Sequence, residues 1–138
     1  MGTRRRGRES ALQVLYQIDV TQRGVDQALD LFWDNFAPDE EARDFCEQLV
    51  RGVVEHCDEI NGLIEKYAEH WKMTRMTQID RNILRMAVYE LCYCQDIPPK
   101  VTINEAVEIG KKFGSEDSGA FINGILDRIT HHLGVAAN

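Results

Sequence analysis

The sequence has few of the features that mark secreted, membrane-spanning or β-rich proteins. Only 3 of its 138 residues are proline and 4 are cysteine. The density of cysteine is too low for a disulfide-stapled fold and is more typical of proteins from a reducing compartment. No apolar run approaches the roughly 18 residues needed to cross a bilayer, and no apolar segment follows the charged N-terminus. Convincing alternation of polar and apolar residues is also missing, which argues against β-strands. We therefore expect a cytoplasmic protein without a membrane span.

Patterns that would indicate catalysis or metal binding are missing as well. The four cysteines form no C-x-x-C pair; they are Cys46, Cys57, Cys92 and Cys94. Two of them lie two positions apart and would project from opposite sides of a helix, where they could not share a metal ion. No glycine-rich phosphate loop and no nucleophile–base arrangement can be recognised. We expect no enzyme activity, no metal site and no cofactor.

What the sequence does contain is helical periodicity over nearly its whole length. Apolar residues recur at spacings of three and four, which predicts about seven helices. The length and a hydrophobic content of 43% fit one globular domain. We expect an all-α fold of two packed bundles, with an N-terminal half over residues 1–70 and a C-terminal half over 71–138. Residues 71–76 would form the joint, and Pro38 would separate the second helix from the third.

Individual residues predict several helix boundaries and contacts. Thr77 and Asp80 form the pattern of an N-cap with its acidic partner, and Thr102 with Glu105 matches a capping box that predicts a helix start. Gly52 falls in the middle of a predicted helix, where glycine costs about 1 kcal/mol relative to alanine. Close packing against another helix would compensate for that cost.

The net charge of −7 is distributed unevenly along the chain. Residues 1–25 sum to +3 and residues 26–69 to −10, while the remainder is balanced. Four arginines stand within five positions: Arg4, Arg5, Arg6 and Arg8. They could form a frayed, solvated terminus, or a segment that orders on RNA, because guanidinium groups bind phosphate and stack on bases. The acidic stretch is expected to be a solvated helical face, with a docking face for a basic protein as the alternative.

Residues near the last predicted helix also have two interpretations. Glu116 and Asp117 precede that helix, where carboxylates interact favourably with the positive end of the helix dipole. They could instead contact base edges or a partner. Phe113 and Phe121 have the spacing of core residues, so burial is expected, although stacking on an unpaired base is the alternative.

Three stretches of the sequence resemble the NusB family of bacterial transcription antitermination factors. They are RRRGRESALQVLY (residues 4–16), DRNILRMAVYEL (80–91) and, most specifically, IPPKVTINEAVEIGKKFGSEDSGAFINGILDRI (97–129). The resemblance covers essentially the whole chain and implies an all-α fold of two perpendicular three-helix bundles. It also implies a non-enzymatic function. The protein would bind the boxA element of nascent ribosomal RNA together with NusE, a small-subunit ribosomal protein, within an antitermination complex on RNA polymerase.

The resemblance further assigns positions that contact RNA or a partner. It implies RNA binding by Arg4, Arg5, Arg6, Arg8, Gln13, Tyr16 and Phe121. It implies RNA or partner contacts by Asp80, Arg81, Glu116, Asp117 and Ser118. Gly7 stands where the family commonly has alanine, so we expect a loose, exposed arm whose arginines contribute little to stability. The competing hypothesis is a helical protein–protein adaptor, or a homodimer, that never touches RNA.

Overall fold

Helices make up the fold of the protein. The computed structural model describes residues 2–36, 40–69 and 72–134. Those ranges hold seven α-helices and two 3₁₀ turns, at Glu40–Ala42 and Met73–Arg75. The helices are α1 Thr3–Thr21, α2 Val25–Phe36, α3 Arg43–Glu55, α4 Cys57–Tyr67, α5 Gln78–Tyr93, α6 Pro99–Phe113 and α7 Ser118–Leu133. The prediction of an all-α fold with about seven helices is confirmed. The boundary predicted at Pro38, and the first residue of the predicted joint, Trp71, lie outside the described residues.

The helices pack as two groups of three. Helices α1, α2 and α3 contact one another, as do α5, α6 and α7, while α4 packs against α3, α5 and α7. Helix α5 also contacts α1 and α3, which makes it the central helix. Its side chains Leu84 and Val88 are completely buried. The expected pair of packed bundles is therefore present, and a division into halves at residues 70 and 71 stays a prediction.

One of the two predicted N-caps is found and the other is not. The Thr77 hydroxyl accepts a hydrogen bond from the Asp80 backbone N–H at 3.1 Å, and α5 begins at the next residue, Gln78. The helix start predicted at Thr102 is wrong, because α6 begins at Pro99. Proline suits the first helical position, where its missing N–H would have no partner. Thr102 instead lies inside the helix, and its hydroxyl donates to the buried carboxylate of Glu90 at 3.0 Å.

Two glycines allow helices to approach closely. A Cβ on Gly52 would lie 2.1 Å from the Tyr89 ring, so the predicted close packing of this residue is confirmed. Gly7 is also buried, and a Cβ there would lie 3.0 Å from the Phe45 ring and 3.2 Å from the Ala42 carbonyl oxygen. The expectation that Gly7 loosens the N-terminus is therefore wrong. Helix α1 runs unbroken from Thr3, and the missing side chain lets it rest on α3.

Candidate nucleic-acid interface

Arg8 is buried and holds α1 against the central helix. Its Nε and Nη2 donate to the two carboxylate oxygens of Glu90 at 2.9 and 2.7 Å, and both side chains are at most 4% exposed. The guanidinium also lies 5.4 Å from the centroid of the Phe45 ring. The expectation of an exposed arginine arm is wrong for this residue. In this structure Arg8 is a packing residue, enclosed by its partners.

Arg4 and Arg5 lie nearer the surface and pair with other carboxylates. Arg5 donates through Nε and Nη2 to the two oxygens of Glu105, the second bond measuring 2.6 Å. Those hydrogen bonds lower the pKa of the Glu105 carboxyl. The Arg4 Nη2 lies 2.9 Å from Asp96, and both of these side chains are at least half exposed. Much of the positive charge counted in the sequence is therefore neutralised within the fold.

The arginines surround a shallow depression at the start of α1. Its volume is about 290 Å³. The lining residues are Gly2, Arg4, Arg5, Arg8, Val101 and Glu105. Arg6 is half-buried at the same end of the helix, and its Nη2 lies 3.4 Å from the Thr3 hydroxyl.

Gln13 and Tyr16 are exposed one turn apart on α1, along a groove of about 370 Å³. The groove is bounded by α1, α2, the first turn of α5 and the end of α6. It is lined by Glu9, Leu12, Gln13, Tyr16, Gln17, Phe32, Phe36, Ile79 and Phe113. Phe113 is 39% exposed, so the expectation of burial is wrong for this residue. Three exposed aromatic rings, those of Tyr16, Phe36 and Phe113, thus share one open groove with the exposed amides of Gln13 and Gln17.

The end of α6 contributes positive charge that was not predicted from the sequence. Lys111 and Lys112 occupy the last helical turn. The Lys112 Nζ lies 3.2 Å from both carboxylate oxygens of Glu9 and 5.1 Å from the centroid of the Phe113 ring. The signal was a pair of lysines directly before an aromatic residue and a glycine.

The turn between α6 and α7 and the first turn of α7 carry four more of the predicted residues. Glu116 and Asp117 are exposed, and Asp117 precedes α7 without a side-chain capping bond. Ser118 is buried, and its hydroxyl accepts from the Ser115 backbone N–H at 2.9 Å, which fastens the turn. Phe121 is half-buried and packs against the core. Only the first two side chains of this group project freely into solvent.

Asp80 and Arg81 are oriented inward at the start of α5. Asp80 is 8% exposed. Arg81 donates through Nη1 to the Met73 carbonyl at 3.1 Å, and its Nη2 lies 3.8 Å from an Asp19 carboxylate oxygen. The neighbouring residue Ile79 lines the groove beside Tyr16. The structure thus buries Asp80 and directs the Arg81 guanidinium to groups of the protein itself.

The described residues also bear on the expectations about metals and membranes. Within those ranges no three His, Cys, Asp or Glu side chains are grouped so that they could hold a metal ion. None of the helices found there is both long enough and apolar enough to cross a bilayer.

Comparison with known proteins identifies the family. The sequence profile of the NusB family matches residues 5–131. The chain belongs to the NusB family. Transcription antitermination protein NusB of Desulfatibacillum aliphaticivorans is 51% identical over 134 residues, which are 97% of this chain and 94% of that protein.

Solved structures of NusB proteins have the same fold. The T. maritima NusB structure is 41% identical and superposes with a TM-score of 0.85, covering 93% of this chain and 90% of that one. A crystal structure of the antitermination factors NusB and NusE in complex with dsRNA is 28% identical, with a TM-score of 0.84. That match covers 94% of this chain and 97% of the other.

Proposed function

We propose that this protein is an RNA-binding transcription antitermination factor that acts with NusE on the boxA element of nascent ribosomal RNA. The observation that carries this proposal is the shared face of α1 and the end of α6. There Gln13, Tyr16 and Phe113 line one groove, with Lys112 over the Phe113 ring. The names of the relatives, and the solved complex of NusB, NusE and RNA, support the same function.

The groove has the chemistry that unpaired RNA requires. Exposed aromatic rings provide stacking surfaces for bases, each worth about 1–3 kcal/mol. The Gln13 amide can donate to and accept from a base edge, which adds sequence preference. Arg4 and Arg5 at one end and Lys112 at the other supply cations for the phosphates. The proposed interface therefore runs from the start of α1 to the α6–α7 turn with Glu116 and Asp117, and on to Phe121 in the first turn of α7.

A basic partner such as NusE fits the charge of the molecule. Residues 26–69 carry a net charge of −10, and that charge repels a phosphate chain within a Debye length, about 8–10 Å. A positively charged protein bound to this body would reduce the repulsion and extend the basic track. The proposed function requires no catalytic step. A protein that acts on nascent bacterial RNA would function in the cytoplasm.

The test is a pair of RNA titrations, each with and without NusE. One RNA carries boxA, and the other is a scrambled sequence of the same length and composition. We expect the protein with NusE to bind boxA more tightly than the scrambled RNA. The double variant Gln13→Ala, Tyr16→Ala should lose that preference while retaining its helical circular dichroism, since both side chains are exposed.

The matched control is Tyr93→Ala. Tyr93 is 41% exposed, close to the 39% of Tyr16, but it stacks on His56 and donates to Glu59 at the start of α4. Its replacement should leave the RNA preference intact. Equal affinity for the two RNAs in the presence of NusE would overturn the proposed action on boxA, and no binding to either RNA would favour the adaptor hypothesis. If the Gln13, Tyr16 double variant keeps the preference for boxA RNA, the groove is not part of the RNA interface.

A further inference from the structure

We propose that Glu105 and Asp96 compete with RNA for the arginines of α1, so that these two carboxylates lower the affinity of the interface. The inference rests on the proposed function and names residues that regulate the same site. Asp96 holds the exposed Arg4, and Glu105 holds the half-buried Arg5. A phosphate that binds the same donor atoms must first displace the internal partner.

The geometry of the Arg5 pair makes the competition direct. Glu105 occupies both Nε and Nη2 of Arg5. That fork is the donor pair that binds phosphate in the same bidentate manner. Glu105 also lies 3.6 Å from the Arg8 Nη1, so one carboxylate screens two guanidinium groups. Carboxylate and phosphate thus require the same donors.

Partial exposure makes this exchange possible. The Arg5 and Glu105 side chains are 27% and 21% exposed and border the depression at the start of α1. Ion pairs in contact with solvent are weak, because water stabilises the separated charges nearly as well. The Arg8–Glu90 pair has the same chemistry but is at most 4% exposed, so a phosphate cannot reach it. Because the two pairs differ in burial, phosphate can replace the carboxylate of the Arg5–Glu105 pair but not that of the Arg8–Glu90 pair.

The substitution Glu105→Gln tests the competition. Glutamine keeps the length and one acceptor oxygen but removes the charge that opposes phosphate. We expect the variant to bind boxA RNA roughly two- to fivefold more tightly at low salt, the scale of one partly exposed ion pair. Each phosphate newly neutralised steepens the dependence of log affinity on log salt by about 0.7 for a single strand. The slope for this variant should therefore steepen by about that amount.

The matched control is Glu108→Gln, one turn further along α6. Glu108 is 52% exposed and pairs with Lys111, so the substitution makes the same change in net charge without releasing an α1 arginine. Its effects on affinity and on the salt slope should both be smaller, because the lysine that it releases is already 64% exposed. Asp96→Asn is a second test, because its pair with Arg4 is exposed on both sides and its loss should not disturb folding.

The outcomes separate this inference from the proposed function. Tighter binding and a steeper slope for Glu105→Gln, with little change for Glu108→Gln, support the competition. Equal changes in the two variants would reduce the effect to net charge and overturn it. Weaker binding by a folded Glu105→Gln would show that Glu105 positions Arg5 for RNA, which also overturns it. Should neither the wild type nor any variant bind RNA, the proposed function itself fails.

Discussion

At the scale of single residues, burial decides what each arginine of the N-terminal cluster does. Arg4 and Arg8 are four positions apart on α1, yet the Arg4 side chain is 51% exposed and that of Arg8 is 4% exposed. The sequence presents them as equivalent charges. Their surroundings make one a candidate for binding phosphate and the other part of the core.

The Arg8→Ala variant should lose much of its stability. The substitution leaves the Glu90 carboxylate buried without its cation, a defect that costs about 3–5 kcal/mol in the free energy of unfolding. Arg4→Ala removes an exposed pair and should cost about 0–1 kcal/mol. Denaturant titrations of both variants measure the difference. Similar stabilities of the two variants would contradict the role of the buried Arg8 in holding α1 against α5, and would favour a loose N-terminal arm.

The Arg5–Glu105 pair should make stability depend on pH in the acidic range. Its hydrogen bonds hold the pKa of the folded Glu105 carboxyl below the usual 4.5. The unfolded chain therefore takes up this proton first as the pH falls. The stabilisation is fully present above pH 4.5 and is lost as the pH drops through the lowered pKa.

Melting temperatures of the wild type and Glu105→Gln measure this contribution. Their difference should stay constant from neutral pH to about 5 and shrink below 4.5. A difference that persists unchanged well below that value would show that the pair's charge contributes nothing to stability. The same variant is used in the RNA titrations, so its folding is checked before its binding is interpreted.

At the scale of helices, a helix start could be predicted from the sequence where it depends on residues close together in the chain. The Thr77 cap was predictable because its partner, Asp80, is three residues away. The start predicted at Thr102 was wrong because the same pattern arises when a threonine and a glutamate serve tertiary contacts. Here they bind Glu90 on α5 and Arg5 on α1. No local rule could reveal those partners.

Glycines provide a matched test of helix packing. Gly52→Ala should destabilise the protein, because its Cβ would lie 2.1 Å from the Tyr89 ring and one of the two helices must shift. Gly62→Ala, in the exposed part of α4, meets nothing within 4 Å. It should raise the free energy of unfolding by up to about 1 kcal/mol, since alanine is the better helix former.

Thermal or denaturant unfolding should show stability changes of opposite sign in the two alanine variants if Gly52 leaves the space that the Tyr89 ring of α5 occupies. A stabilised Gly52→Ala protein would contradict the close contact between α3 and α5. The prediction that Gly52 packs closely came from its cost in a helix, and the identity of Tyr89 came only from the structure.

At the scale of the whole molecule, the sequence located positive charge but not its partners. Residues 1–25 sum to +3, yet Arg4, Arg5 and Arg8 pair with carboxylates from beyond residue 89. The groove was equally hidden, because its walls come from α1, α2, α5 and α6. Periodicity places a residue on a helix face, whereas the opposing face depends on how the helices pack.

This distribution of charge sets the salt dependence expected for RNA binding. Arg8 is enclosed, and each of the other three cations is paired with a carboxylate that a phosphate must replace; these cations are Arg4, Arg5 and Lys112. With about 0.7 in slope per phosphate on a single strand, two or so net contacts give a slope of roughly 1–2 for the protein alone. The net charge of −7 opposes even this attraction.

NusE should therefore both tighten binding and steepen the slope, because a basic partner adds phosphate contacts and covers acidic surface. Titrations of boxA RNA at several salt concentrations, with and without NusE, measure both quantities. Nanomolar affinity of the isolated chain at physiological salt would contradict the expectation, since two or so net phosphate contacts on an acidic body cannot supply it. Identical slopes with and without NusE would mean that the partner contributes through bases or protein contacts, and that the acidic body does not limit RNA binding.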